Sequence, residues 1–272
     1  MILIRMFRTK IIFHLHGKGV KEKIKNPVLK FLYTWFFYNQ FIILLSPLLF
    51  DDIREVAIKS RISYLPNGID IGVKNNKRHR IESDRPFKIL FLSNLVPTKG
   101  PTDLIEACKI LKEKNSLFQL YFVGTPSSKD FGWEKLDRLI RLYGLDKQTH
   151  YLGPKYGNQK DDILCDSDVL VFPTVKDCFP LVILEAMAFG LPVISTYEGA
   201  IPEIVDDGVT GYLVPPKNPE RIAEKLLDLI NNPETRIRMG EAAKKKFEQH
   251  YTLNQFNSKL IGVIDAITRD SF

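Results

Sequence analysis

From Lys88 onward, short apolar segments alternate with amphipathic segments that repeat at helical spacing. The apolar segments are rich in β-branched and aromatic residues, and they predict strands at 88–94, 118–124, 149–153, 168–174, 192–196 and 211–214. The amphipathic segments between them predict helices at 102–114, 133–143, 158–165, 180–189 and 201–206. Strands that alternate with helices are typical of a parallel sheet covered on both faces. This pattern predicts a complete doubly wound α/β domain.

Upstream of Lys88 the pattern is shorter. It predicts strands at 10–17, 41–46 and 61–69, separated by helical segments at about 26–38 and 47–59. Three strands are too few for an independent doubly wound sheet. We therefore expect a partial lobe at 1–70, a polar linker at 71–87, the complete domain at 88–250 and a C-terminal helix at 251–272 that packs back on the first lobe.

A membrane span at 31–50 is an alternative for part of the first lobe, because this stretch contains no charged residue. Polar residues at Thr34, Asn39 and Gln40, and Pro47 after a β-like run, favour a helix, a turn and a buried strand instead. The basic and apolar start of the chain lacks a small-residue cleavage site, so no signal peptide is predicted.

Composition narrows the function classes. The formal net charge is +7 and the three cysteines include no CxxC pair, which argues against a disulfide framework or a structural zinc site and favours a reducing, cytoplasmic setting. Positive charge favours an anionic ligand, such as a phosphorylated small molecule or a membrane surface. Nucleic acid is not expected, because the basic runs at 77–80 and 244–246 lack interleaved aromatic residues.

Ligands of open α/β sheets lie beyond the carboxyl ends of the strands. The loop after the first strand of the complete domain carries Asn94 and Lys99, and Lys99 could reach a phosphate. The loop that follows Gly124 could form a wall for a nucleotide.

The third loop is the most informative. Asp177 precedes a predicted helix whose first amides, at Leu181 and Val182, could bind an anion. Glu185 lies about one and a half turns inside that helix, where a carboxylate could accept hydrogen bonds from sugar or ribose hydroxyls. Asp177 could alternatively be a simple helix cap.

The segments DCFPLVILEAMAFGLPVIST, PEIV, DGVTGYLV and FLSNLVPTKGPTDLIEA occur in an order that resembles family 4 of the glycosyltransferases with the GT-B fold. VGTP, HYLG and DVLVFPT extend the resemblance, as do HLHG, ILLS and YLPNGID upstream. The resemblance implies a GT-B fold and a nucleotide-sugar-dependent transferase that retains the anomeric configuration without a metal or other cofactor. It implies a hydroxyl acceptor on a surface polysaccharide or lipid-linked glycan, with the enzyme in the cytoplasm or at the inner face of the membrane.

The resemblance also assigns roles to residues. Asp177 and Glu185 match the family's paired acidic motif, with Asp in place of the commoner Glu, and His16 matches the histidine that faces the donor sugar. We therefore expect His16 and Asp177 to be catalytic. Combined with the loop positions above, the expected donor-binding residues are Asn94, Lys99, Gly124, Phe179, Pro180, Leu181, Val182 and Glu185.

This sequence departs from the family pattern at two further places. Asn94 replaces the usual Arg of the first loop, which removes one charge-assisted contact. The chain enters the N-terminal lobe only at the strand before His16, so we expect a truncated lobe. The alternatives are therefore a nucleotide-sugar-binding remnant without activity and a sugar-nucleotide epimerase of the same fold.

Two other features are interpreted as structural. Asp166 and Asp168 imitate a metal-binding DxD motif, but they precede a strand and so lie at the wrong edge of the sheet for a ligand. His14 is expected to lie in the core or behind His16, with its side chain on the opposite face of the strand.

Overall fold

The computed structural model describes residues 11–71, 85–126 and 131–269. The chain divides into two compact units. The first unit comprises Met1–Gly68 together with Tyr251–Phe272, and the second unit comprises Ile69–His250.

The first unit contains a parallel three-stranded sheet in the order β1-β2-β3. Its strands are β1 (Ile12–Leu15), β2 (Phe41–Leu44) and β3 (Arg61–Tyr64). Its helices are α1 (Val20–Lys23), α2 (Pro27–Phe37), a 3-10 helix (Pro47–Asp52) and the C-terminal α10 (Leu253–Arg269). The helix α2 begins with Asn26, whose side chain accepts hydrogen bonds from the backbone N–H groups of Val28 and Leu29, followed by Pro27 at the first helical position.

The helical segment predicted at 47–59 is wrong in length and type, because a 3-10 helix ends at Asp52 and turns follow it. The physical reason is a tertiary contact. The buried Asp52 accepts hydrogen bonds from the backbone N–H groups of Gly19, Val20 and Lys21, at 2.9, 3.0 and 3.2 Å. The carboxylate thus caps α1, a short helix that the sequence pattern did not predict.

The segment considered as a membrane span folds as helix, turn and strand, since α2 ends at Phe37 and β2 begins at Phe41. Within the described ranges, no helix is long and apolar enough to cross a membrane. The helix α2 nevertheless exposes apolar side chains, among them Val28 at 64% and Phe31 at 69% of their full surface.

The second unit is a parallel six-stranded sheet in the order β6-β5-β4-β7-β8-β9. Its strands are β4 (Phe87–Leu92), β5 (Phe118–Val123), β6 (Thr149–Gly153), β7 (Val169–Phe172), β8 (Val193–Thr196) and β9 (Gly211–Val214). Its helices are α3 (Pro101–Glu113), α4 (Trp133–Leu142), α5 (Gly157–Asp166), α6 (Leu181–Ala188), α7 (Ile201–Ile204), α8 (Pro219–Asn231) and α9 (Pro233–His250). Every strand predicted from Lys88 onward is confirmed, as is the α/β fold class.

The core explains why these segments read as continuous apolar runs. All four residues of β7 and all four of β8 are buried, because helices cover both faces of the sheet. Fully burying one large apolar side chain stabilises the folded state by about 1.5–3 kcal/mol. The buried side chains of these strands therefore contribute strongly to the stability of this sheet.

The strand order reverses next to β4. The chain runs from β4 through β5 to β6 on one side, then returns to place β7 on the other side of β4. The loops that leave β4 and β7 are therefore neighbours at the carboxyl edge of the sheet. Such a switch point is where open α/β sheets bind ligands.

Candidate active site

Hydrogen bonds join the two loops at the switch point. The backbone carbonyl of Thr98 accepts the N–H of Val175 at 2.8 Å and the hydroxyl of Thr174 at 2.9 Å. Gly100 has a φ of 74°, and a Cβ added there would lie 2.2 Å from the carbonyl oxygen of Pro173. A glycine is thus required both by the backbone conformation and by the close approach of the second loop.

This approach brings Lys99 and Asp177 together. The Lys99 Nζ lies 2.5 Å from Asp177 Oδ2 and donates to the Lys176 carbonyl at 3.3 Å, while it also lies 5.4 Å from the centre of the Phe172 ring. Both charged side chains are mostly buried, at 22% and 15% exposure. Partial burial strengthens the attraction relative to a surface ion pair. The structure therefore joins two predicted site residues from different loops.

The helix α6 begins at the same edge. Phe179 and Pro180 are buried just before it, while Leu181 is exposed and Val182 half-buried in its first turn. No side chain caps this helix. Asp177 instead accepts the N–H of Cys178 at 2.7 Å, so it is not the cap that we considered as an alternative. The first-turn amides of Leu181 and Val182 are suited to an anion.

Glu185 follows one turn inside α6 and has a partner that sequence reasoning missed. Its Oε1 lies 2.9 Å from the Nζ of Lys160, on α5, and both side chains are partly buried. The two residues are 25 positions apart in the chain, and the sequence between them carries no periodic signal for this contact. A signal was available in α5, where Lys160 lies close to the positive end of the helix and so benefits from a nearby carboxylate.

The loop after β5 contacts the loop after β4. Gly124 has a φ of 150°, and a Cβ there would lie 1.8 Å from the carbonyl oxygen of Ser93. The carbonyl of Gly124 accepts the hydroxyl of Tyr151 at 3.0 Å. Asn94 is exposed beside this contact and is uncharged, which leaves Lys99 as the cation that this loop presents among the described residues.

His16 lies in the first unit, directly after β1, and is exposed. Its Nε2 lies 3.2 Å from Nδ1 of His14, and the two ring centres are 4.0 Å apart. The expectation that His14 lies on the opposite face is wrong, because side chains two residues apart in an extended chain share a face. Burial, and then the charge of His16, lower the pKa of His14.

Asp168 is buried at the amino end of β7 and is held by arginines. Its carboxylate forms two 2.9 Å bonds to the Arg85 guanidinium, accepts the N–H of Lys88 at 2.8 Å and lies 3.8 Å from Arg236. Asp166 pairs with the Lys88 ammonium at 2.6 Å. These contacts give the DxD-like pair a structural role, as part of an ion-pair cluster at the amino end of the sheet. Within the described ranges, including this cluster, no three His, Cys, Asp or Glu side chains are grouped as metal ligands.

Comparison with known proteins shows which family this chain resembles. The model for "Glycosyl transferases group 1" matches residues 73–246, more than half of the chain. A D-inositol 3-phosphate glycosyltransferase of Corynebacterium efficiens is 31% identical over 216 residues, which is 74% of this chain and 51% of that protein. WcaL of Escherichia coli, named as a glycosyltransferase of colanic acid biosynthesis, is 29% identical over 67% of this chain and 46% of its own length. The chain spans about half the length of the curated relatives it matches.

Solved structures agree on the fold. The Anabaena protein HepE in complex with UDP matches 97% of this chain and 74% of its own, with a TM-score of 0.82 and 19% identity. The C-terminal domain of LpcC, a group 1 glycosyltransferase of Francisella tularensis, matches 63% of this chain and 90% of its own, with a TM-score of 0.57 and 30% identity. The predicted GT-B fold is confirmed.

Proposed function

This chain belongs to the group 1 glycosyltransferases, and we propose that it takes a sugar from a nucleoside diphosphate sugar and transfers it to a hydroxyl acceptor. The observation that carries the proposal is the meeting of Lys99 with Asp177 beside the uncapped start of α6. A diphosphate requires a cation and free amides, and a sugar requires carboxylates for its hydroxyls. All three lie at the switch point of one sheet. The complexes of HepE with UDP and with UDP-glucose support a donor of this class.

The chemistry follows from charge. Cleavage of the bond between the sugar and the diphosphate leaves negative charge on the leaving phosphate oxygen. The Lys99 ammonium and the amides of Leu181 and Val182 stabilise that charge where it develops, which lowers the barrier. In this proposal the protein's own groups supply the positive charge, so transfer proceeds without a metal ion. The acceptor oxygen bonds to the anomeric carbon on the face that the diphosphate leaves, which retains the configuration, and the acceptor proton passes to the departing diphosphate. Asp177 orients Lys99 and contacts the donor sugar.

The nucleoside is held by Glu185, Gly124 and the walls of the neighbouring loops. A carboxylate that accepts two ribose hydroxyls makes charge-assisted bonds, which are the stronger kind. Phe179 and Pro180 place the backbone that faces the sugar and phosphate. Asn94 gives this loop a weaker phosphate contact than an arginine would. The role of His16 as the residue facing the donor sugar stays a prediction.

The acceptor in this proposal is a hydroxyl of a surface polysaccharide or a lipid-linked glycan. The name of WcaL, with its reference to colanic acid, supports a polysaccharide setting. We place the reaction in the cytoplasm, and the exposed apolar side chains of α2 support contact with the inner face of a membrane.

The experiment incubates the full chain with UDP- and GDP-sugars and a mixture of lipid-linked and free glycan acceptors, with chelator present. Mass spectrometry detects the glycosylated product, and NMR determines the anomeric configuration. Product with retained configuration supports the proposal. Donor binding without any product favours the inactive remnant, and isomerised donor favours an epimerase. The Lys99→Met variant is the control for adventitious turnover.

A further inference from the structure

Glu185 is engaged before any ligand arrives. Its Oε1 accepts a 2.9 Å bond from the Lys160 ammonium, and within the described part of the chain its Oε2 takes no hydrogen bond. Both side chains are mostly buried, at 25% exposure for Lys160 and 22% for Glu185. One carboxylate oxygen is thus engaged by Lys160, and the other is available to a ligand.

The position of Lys160 is unfavourable without this partner. Lys160 lies near the start of α5, which begins at Gly157 with no side-chain cap. The positive end of the helix dipole disfavours a cation there. Partial burial adds the cost of removing water from the ammonium. The pair with Glu185 offsets both effects, which explains why the side chain extends to α6.

We propose that Lys160 is a positioning residue for donor binding, which fixes the Glu185 carboxylate so that Oε2 meets the ribose hydroxyls. This inference rests on the proposed function. A glutamate side chain has three rotatable bonds and loses side-chain entropy when its carboxylate binds a ligand. The ion pair fixes that rotation in advance, so the selectivity for a ribose over a sugar without hydroxyls depends on Lys160 as well as on Glu185.

The test compares the affinities of the full chain for two ligands, UDP and 2′,3′-dideoxy-UDP, or the guanosine pair if GDP binds more tightly. The variant Lys160→Met keeps most of the side-chain volume and removes the charge. Lys160→Arg restores a cation, and Lys160→Gln serves if the Met variant does not fold.

A matched control separates positioning from a general effect on α5. Lys88 is also mostly buried, at 20% exposure, and its ammonium pairs with Asp166 on the same helix, at the opposite edge of the sheet. Lys88→Met therefore removes a lysine of similar burial from an ion pair with α5, although its partner Asp166 is more exposed than Glu185, and it does so without touching Glu185.

We expect the wild type to prefer UDP by about tenfold or more, the scale of a hydrogen bond to a charged group. Lys160→Met should reduce this preference at least about threefold, while Lys160→Arg and Lys88→Met retain it. If Lys160→Met keeps the wild-type preference for UDP, or if Lys88→Met loses this preference to the same extent, the inference on Lys160 is overturned but the proposed function is not. Equal binding of both ligands by the wild type also overturns it while donor binding stands. A wild type that binds no nucleoside diphosphate overturns the proposed function itself.

Discussion

The ammonium of Lys99 lies 2.5 Å from the carboxylate of Asp177, although 78 residues separate them in the chain. The reversal of strand order next to β4 makes this contact possible, because it places the loops after β4 and β7 side by side. A diphosphate that reaches this edge competes with Asp177 for the same cation. We therefore expect the two side chains to have opposite effects on ligand binding.

Replacement of Lys99 by Met should weaken UDP or GDP binding by about 10- to 100-fold, since the phosphate loses a charge-assisted bond of about 1.5–3 kcal/mol. Asp177→Asn should leave the affinity unchanged or raise it, because it removes a negative charge near the phosphates, while sugar transfer falls. Calorimetry and a transfer assay measure the two effects separately. Equal losses of affinity in both variants would show that the pair acts only as a structural clamp.

Glu185→Ala should lower nucleoside diphosphate affinity by about 1–3 kcal/mol, the scale of hydrogen bonds between hydroxyls and a charged group. The variant also leaves Lys160 partly buried without its partner, so a thermal unfolding curve accompanies the calorimetric titration. An unchanged affinity in a folded variant refutes the ribose-binding role.

Asp168→Asn tests the structural assignment of the DxD-like pair. Removing one partner of a buried ion pair costs about 3–5 kcal/mol, and here two arginines lose their carboxylate. Burial lowers the pKa of Arg236, and Asp168 is the group that opposes this shift. Urea unfolding should show the loss of stability. The UDP affinity of the folded variant should stay within about twofold of the wild-type affinity. A stable variant that loses metal-dependent nucleotide binding would instead support a ligand role.

His14 predicts a pH dependence in the first unit. Burial and the neighbouring His16 lower the pKa of His14, so the folded state favours the neutral ring. Its contribution to stability is complete above the ordinary histidine pKa and is lost as the pH falls below it. Thermal unfolding between about pH 8 and pH 5 should therefore show a steeper decline for the wild type than for His14→Gln. Parallel declines in the two proteins would contradict this origin.

The parts of the fold that the sequence could predict are those set by local pattern. Continuous apolar strands and amphipathic helices identified every strand of the second unit, and the loops at their carboxyl ends pointed to Lys99, Asp177 and Glu185. The parts that could not be predicted depend on contacts between residues that are distant in the sequence. Asp52 caps a helix through a tertiary contact, which converts the predicted helix into a 3-10 turn.

Lys160 shows the same limit within the site. Its residue type and its place near the start of α5 indicate that it benefits from a nearby carboxylate, but only the folded structure identifies that carboxylate as Glu185. The error on His14 was of another kind, since the alternation of side chains along a strand already places it on the face of His16.

The most direct test of the central claim is a calorimetric titration of the full chain with UDP and with GDP. The account predicts saturable binding of at least one of them at micromolar to millimolar ligand, with clear weakening in Lys99→Met and Glu185→Ala and little change in the control Lys88→Met. Folded protein that produces no binding heat with either ligand at millimolar concentration would contradict the claim that the switch point of this sheet is a nucleotide-sugar site.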